Sequence, residues 1–207
     1  MTKLTLDISM SLDGFVAGPN ISHEQPLGEG GELLHDWITR LASWRARHGH
    51  EGGETGPAND LVEEAARSIG AYIMGRRMFS GSAGSWADDP NADGWWGEEP
   101  PFRAPVYVLT HHEREPLVKQ GTTFTFVTEG IESALEQAKA AAGERDVQLS
   151  GGADVVQQYL RAGLVDTLQI HVAPVLLGGG TSLFGELGIP VGLQPADATH
   201  LTLTPAR

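Results

Sequence analysis

No cysteine occurs in this 207-residue chain, which excludes disulfide staples and thiolate metal sites together. No apolar run approaches membrane-spanning length, and the opening Met1-Thr2-Lys3-Leu4-Thr5-Leu6-Asp7 lacks the apolar core of a signal peptide. The expectation is a soluble cytoplasmic protein with no membrane partner. Basic residues are scarce, 14 Lys+Arg against 27 Asp+Glu, for a formal net charge of −13. Such a chain repels polyanions, so no nucleic-acid partner is expected, although a small anion can still answer a few local donors. Catalytic signatures are missing as well. His48 and His50 stand one residue apart and His111 and His112 are adjacent, but no H-E-x-x-H set exists, so no metal site is expected. Gly81-Ser82-Ala83-Gly84-Ser85 has the wrong spacing for a nucleophile elbow. Gly178-Gly179-Gly180 lacks the lysine of a P-loop.

What is present reads as alternating strands and helices in one domain spanning 1–207. Leu4, Leu6 and Ile8 alternate with Thr5, Asp7 and Ser9 as a first strand. Leu33, Leu34, Trp37, Ile38, Leu41 and Trp44 recur at three- and four-residue spacing, which predicts one helix over about 32–46. The Gly-, His- and Glu-rich 47–59 reads as a mobile surface loop, 61–69 as a helix and 71–74 as a strand. Residues 80–105 form a long irregular stretch whose tryptophans imply that it packs against something. Strands are expected over 106–110, 123–127, 146–150 and 165–175, the last with Thr, Gln and His interleaved. Helices are expected over 131–142, ended by Gly143, and over 152–162, with a closing strand at 199–203. This pattern implies a three-layer α/β fold with a mainly parallel central sheet flanked by helices.

Two strand-to-helix junctions carry the chemistry. Leu149-Ser150-Gly151-Gly152-Ala153-Asp154 and Met74-Gly75-Arg76-Arg77 both end a strand on glycine and open a helix. Backbone N–H groups at such a start, backed by the helix dipole, suit an anion. Two such corners in one small domain imply a ligand with more than one phosphate. An arginine at a helix start is electrostatically unfavourable unless an anion answers it, which favours a ligand role for Arg76 and Arg77 over a solvated helix start.

These segments resemble the dihydrofolate reductase-like family, in the branch that includes the reductase domain of bacterial riboflavin biosynthesis. The likeness is carried by Ser11-Leu12-Asp13-Gly14-Phe15-Val16-Ala17, Met74-Gly75-Arg76-Arg77-Met78-Phe79 and Leu149-Ser150-Gly151-Gly152-Ala153. The stretch from Val165-Asp166 through Pro174-Val175-Leu176-Leu177-Gly178-Gly179-Gly180-Thr181 completes it. The resemblance implies a dihydrofolate reductase-like fold that binds NADPH along the strand ends. Gly75 and Arg76 would approach the adenosine-side phosphates, with Arg76 on the 2′-phosphate and Arg77 adding charge. Thr110 and His111 would border the adenosine. Ser150, Gly151, Gly152, Ala153 and Asp154 would receive the pyrophosphate, and Val16 and Ala17 would lie beside nicotinamide. Arg76 and the Gly151-Gly152 corner are thus expected to share one crevice.

On the substrate side the resemblance implies a small heterocycle, pterin- or pyrimidine-like, reduced by hydride transfer, and a homodimeric protein. Asp36 is the nearest counterpart of the family's carboxylate and the expected proton donor, with Glu32 and His35 as rivals. Asp13 serves either an Asx-type turn or a ligand hydroxyl. Trp86 is expected to wall a flat ring by stacking, and Leu177 and Gly178 to line the substrate mouth. Two alternatives stay open: a flavin or deazaflavin carrier in the same cleft, and a non-catalytic nucleotide-binding module.

Overall fold

The computed structural model describes residues 2–185 and 187–193; the closing strand expected at 199–203 lies outside them. Along the chain come β1 (Leu4–Ser11), β2 (Phe15–Ala17), α1 (Asp36–Thr39), α2 (Ala42–Arg47), α3 (Pro57–Ser68), β3 (Ile69–Gly75) and α4 (Arg76–Ser80). They are followed by β4 (Val106–Leu109), β5 (Leu117–Lys119), β6 (Thr122–Val127), α5 (Ile131–Ala142), β7 (Asp146–Gly151), α6 (Ala153–Arg161), β8 (Thr167–Ala173) and β9 (Thr181–Ser182). Seven strands make one sheet in the order β5-β6-β4-β3-β7-β1-β8, while β2 and β9 pair separately. Among the described residues only the short edge strand β5 runs antiparallel within the large sheet. The expected three-layer, mainly parallel architecture is what the strands and helices form. Among the described residues no helix is long and apolar enough to cross a membrane.

One face of the sheet is conventional. Leu4, Leu6, Ala71, Ile73, Val147 and Leu149 point towards α5 and α6 and pack on Leu135, Ala138, Val156 and Tyr159. The apolar spacing that marks 131–142 in the sequence supplies this contact, and Gly143, at φ 64°, ends α5 where expected. The opposite face divides in two. Under β3, β4 and β6 it is aromatic, with Phe79 and Phe124 among Met74, Val106 and Val108. Trp86, Trp96 and Phe102 from the long 80–105 stretch cover it. Under β1, β7 and β8 the same face is polar.

The helix expected over 32–46 is broken. A 3-10 turn over Gly31–Leu34 and α1 precede Leu41, which is extended at φ −70° and ψ 141°, and α2 begins after it. The break comes from pairing with the 47–59 segment. Glu54 N–H donates to the Arg40 carbonyl and Ala42 N–H to the Glu54 carbonyl, forming a bridge between Leu41 and Glu54. The loop therefore competes with the helix for its backbone groups, which the side-chain period does not record.

Sheet register opens the site. β1 pairs with β8 from Thr5 through Ser11 but with β7 only from Leu4 to Leu6. Beyond Leu6 and Leu149 these neighbours part. The chain leaves β1 towards α1–α3 and leaves β7 towards α6 on the other face, and adjacent strands with opposite exits leave a crevice at their carboxyl ends.

Candidate active site

The two glycine corners meet in that crevice. A Cβ on Gly75 would lie 2.8 Å from Val155 Cγ2 and 3.7 Å from the Gly152 nitrogen, so the end of β3 rests directly on the first turn of α6. Gly151 adopts φ 119°, which favours glycine. A Cβ on Gly152 would meet nothing within 4 Å, so the crevice is open in front of it. The Gly152 carbonyl accepts from Val155 and Val156 N–H, while the earlier N–H groups of α6, Ala153 and Asp154, have no acceptor within the helix. The Ser150 hydroxyl, two residues before Gly152, is buried without a partner among the described residues, an arrangement that a polar ligand atom would relieve. These features fit a pyrophosphate-bearing cofactor.

Arg76 departs from expectation. Its guanidinium turns inward, 5% exposed, onto the fully buried Asp89 and the Ser80 hydroxyl, and lies 3.5 Å from the centroid of the Trp86 ring. It anchors the long loop to α4 and presents no charge to the crevice. The reason is local: in α4 residue 76 faces Ser80, one turn on, and the loop returns a carboxylate to the same spot. Arg77 is the arginine that spans the two corners. It is exposed and donates to Asp154 Oδ2 at 3.1 Å across the mouth of the crevice. Trp86 is corrected with Arg76. Its ring lies beneath that guanidinium and packs edge-on against Phe79 and Phe126, and its indole N–H donates to the His112 carbonyl. The Arg114 guanidinium also lies 4.9 Å from its ring centroid, so the ring is engaged by the protein's own arginines and aromatics.

Asp13 joins two loops. Its carboxylate accepts from the Ser11 hydroxyl at 2.6 Å, Gly178 N–H at 2.7 Å and Leu177 N–H at 3.1 Å. The Ser11 contact, with the two amides, holds its pKa below the ordinary aspartate value against opposing desolvation. Asp13, Leu177 and Gly178 therefore form one clamp that holds the loop bearing Val16 and Ala17. The clamp continues into β2 and β9. Gly180, at φ 120°, passes so close that a Cβ would stand 2.1 Å from the Ala17 carbonyl oxygen. Thr110 is buried at the end of β4, its N–H on the Val127 carbonyl and its hydroxyl accepting from His112 N–H. His111 beside it is exposed.

Asp36 is exposed at the start of α1. Its backbone carbonyl accepts from Arg40, and among the described residues its carboxylate makes no hydrogen bond or ion pair. The next residue faces the sheet instead. Trp37 donates its indole N–H to Ser9 Oγ at 2.9 Å and stacks on His171 with ring centroids 4.3 Å apart. Of the rivals, Glu32 is exposed. His35 is largely buried, and desolvation holds its pKa below the ordinary value, against the raising influence of a Gly31 backbone contact and the Asp36 charge.

Sequence reasoning missed a polar cluster beneath α1–α3. Asp7 Oδ1 lies 3.2 Å from His171 Nε2, and Gln169 Nε2 donates to Asp7 Oδ2 at 3.3 Å. Asp7 and His171 join Trp37, Arg47, Tyr72 and Gln148 around a cavity of about 100 Å³. The signal was available: strands inside a parallel sheet are ordinarily apolar on both faces. Here β1, β7 and β8 carry Asp, Ser, Gln and His at alternate positions, so a polar face is enclosed on purpose or at a cost.

Residues 2–205 match the family described as RibD C-terminal domain, and the chain belongs to it. YyaP of Bacillus subtilis (strain 168), an uncharacterized protein, is 23% identical over 93% of this chain and 85% of its own length. Riboflavin biosynthesis protein RibD of Mycobacterium tuberculosis (strain ATCC 25618 / H37Rv) is 30% identical over 76% of this chain; the match spans half of that protein's length. Among solved structures, a putative riboflavin biosynthesis protein from Shewanella sp. PV-4 superposes with a TM-score of 0.55 at 22% identity, covering 93% of this chain and 88% of that one. The Thermotoga maritima diaminohydroxyphosphoribosylaminopyrimidine deaminase/5-amino-6-(5-phosphoribosylamino)uracil reductase gives 0.51 at 14% identity, over 92% of this chain and 51% of its own. The fold is dihydrofolate reductase-like, and membership of a reductase-domain family supports an enzyme acting on a small molecule.

Proposed function

We propose that the protein is an NADPH-dependent reductase of a pyrimidine-like heterocycle, working as a homodimer. The observation that carries this reading is the meeting of the two glycine corners, Gly75 resting on the first turn of α6 and Gly152 open in front of it, with a buried Ser150 hydroxyl two residues upstream that has no partner among the described residues. When bound, NADPH would supply hydride from nicotinamide. Ser150, Gly151, Gly152 and Ala153 would bind the pyrophosphate through backbone N–H groups and one hydroxyl, where no side chain obstructs approach. Thr110 and His111 would border the adenosine. Val16 and Ala17 would orient the nicotinamide, held by the Asp13 clamp on Leu177 and Gly178. Positioning of this kind is most of what hydride transfer asks of a protein.

The 2′-phosphate role passes from Arg76 to Arg77, whose exposed fork would exchange the Asp154 carboxylate for the phosphate. Titrating NADPH and NADH while following tryptophan fluorescence tests both points. Saturable quenching is expected with NADPH, and none at millimolar cofactor would remove the reading. Arg77→Ala is expected to weaken NADPH by about tenfold, some 1.4 kcal/mol, and NADH by much less. Equal losses would take the 2′-phosphate away from Arg77.

The substrate reading is tested with 5-amino-6-(5-phosphoribosylamino)uracil, the compound in the name of the Thermotoga protein, by following NADPH oxidation. Asp36→Asn is expected to leave turnover within about twofold, because a group that lies outside the cavity cannot transfer a proton there. A hundredfold loss would restore Asp36 as the donor.

A further inference from the structure

The enclosed polar cluster is where the reaction's proton would come from. We propose that His171, held by Asp7 and stacked on Trp37, is the proton donor of the reduction, and that the substrate ring occupies the cavity between β1 and α3. This rests on the reductase reading above and adds to it the residue that completes the chemistry.

Three observations point to it. First, the imidazole is oriented from two sides: its Nε2 faces the Asp7 carboxylate and the indole of Trp37 covers its ring. A carboxylate on one ring nitrogen fixes the tautomer and stabilises the imidazolium, leaving the other nitrogen to exchange a proton. Among the described residues no hydrogen bond engages Nδ1. Second, the cavity and the crevice lie along the same strands, β1 and β7. Asp7 directly follows Leu6, the last β1 residue paired with β7, and Gly151 lies two residues past Leu149 on the other side of the same split. Gln148, which lines the cavity, and the unpartnered Ser150 hydroxyl alternate along β7 towards the cofactor corner. Third, the lining suits a flat, polar ring: the indole and Tyr72 offer aromatic surface, while Gln148 offers an amide that can pair with ring carbonyl and N–H groups. The charged or titratable groups facing the imidazole are Asp7 from β1, Arg47 from α2 and Tyr72 from β3; α3 contributes Val62, Ala65 and Ala66.

The step balances simply. Hydride with its electron pair adds to the carbon of a substrate C=N or C=O bond. The π pair moves to the heteroatom, which takes the proton from Nδ1, and the neutral imidazole is reprotonated from solvent.

The test compares the wild type with His171→Asn and Asp7→Asn, using NADPH and 5-amino-6-(5-phosphoribosylamino)uracil. His171→Asn is expected to bind NADPH within about twofold of the wild type but to lose about 10²-fold in kcat, the usual contribution of a general acid. Asp7→Asn, a positioning change, is expected to lower kcat about tenfold with KM little altered. If NADPH fails to bind the wild type, the reductase reading itself falls. If NADPH binds and the wild type turns over, an unchanged kcat in His171→Asn overturns the proton-donor role alone. Binding of NADPH with no turnover of this pyrimidine by the wild type overturns the cavity assignment.

Discussion

Asp89→Ala is expected to destabilise the fold by about 3–5 kcal/mol, the cost of leaving a buried cation without its partner. Asp89 is fully buried, and Arg76 has no route to water that keeps its place over Trp86. The loss would appear as a fall in Tm of about 10 °C, given the few degrees that each kcal/mol shifts a domain of this size. Replacing both partners by apolar residues, Arg76→Met with Asp89→Leu, should recover most of it, because neither buried charge then remains. A denaturation midpoint for Asp89→Ala within 1 kcal/mol of the wild type would show that the pair is not the anchor of the long loop.

The same pair sets a pH dependence. Burial opposes ionisation of Asp89, but the Ser80 hydroxyl, the Arg76 guanidinium and Asn91 N–H outweigh it and hold its pKa below the ordinary value of 3.8. A carboxylate with a lowered folded-state pKa contributes stability in full above its unfolded value and loses it as pH falls through the folded one. Asp89→Asn should therefore lower stability at neutral pH and flatten its fall below about pH 4. Urea midpoints between pH 2.5 and 7 measure both.

Gly152→Val carries the second large effect, and it should fall on the ligand alone. The backbone of Gly152, at φ −69° and ψ −174°, lies in the extended region open to side chains, and beyond its two chain neighbours no atom of the described residues stands within 4 Å of a Cβ there. The variant should fold with nearly unchanged stability while NADPH binding falls about 10²-fold or more, roughly 2.7 kcal/mol, as the branched side chain fills the approach to the α6 N–H groups. Gly180→Ala is the useful contrast, since its Cβ would strike the Ala17 carbonyl and should cost stability first. Undiminished NADPH affinity in a folded Gly152→Val protein would place the pyrophosphate elsewhere.

Local signals were readable wherever local physics decides. The 131–142 helix, its glycine stop, the strands that became β3, β4 and β7, and the glycine corners all follow from side-chain period and turn chemistry. The misreadings share one cause. Arg76 and Trp86 carry side chains that suit a ligand equally well, and only the return of Asp89 from thirteen residues on commits them to each other. The 32–46 helix has the right period, but Glu54 takes its backbone groups at Leu41. Asp36 and Trp37 are neighbours in sequence, and the orientation of a four-residue helix sends one to solvent and the other to His171.

By itself, the sequence determined the class of fold, the two glycine corners at strand ends and the exclusion of thiolate chemistry, since these depend on composition and on contacts a few residues apart. Only the tertiary structure decided which arginine remains at the crevice mouth, and that Asp7 and His171, 164 positions apart, form one pair. That pairing depends on β1 and β8 being laid side by side, a long-range register that no nearby residue encodes.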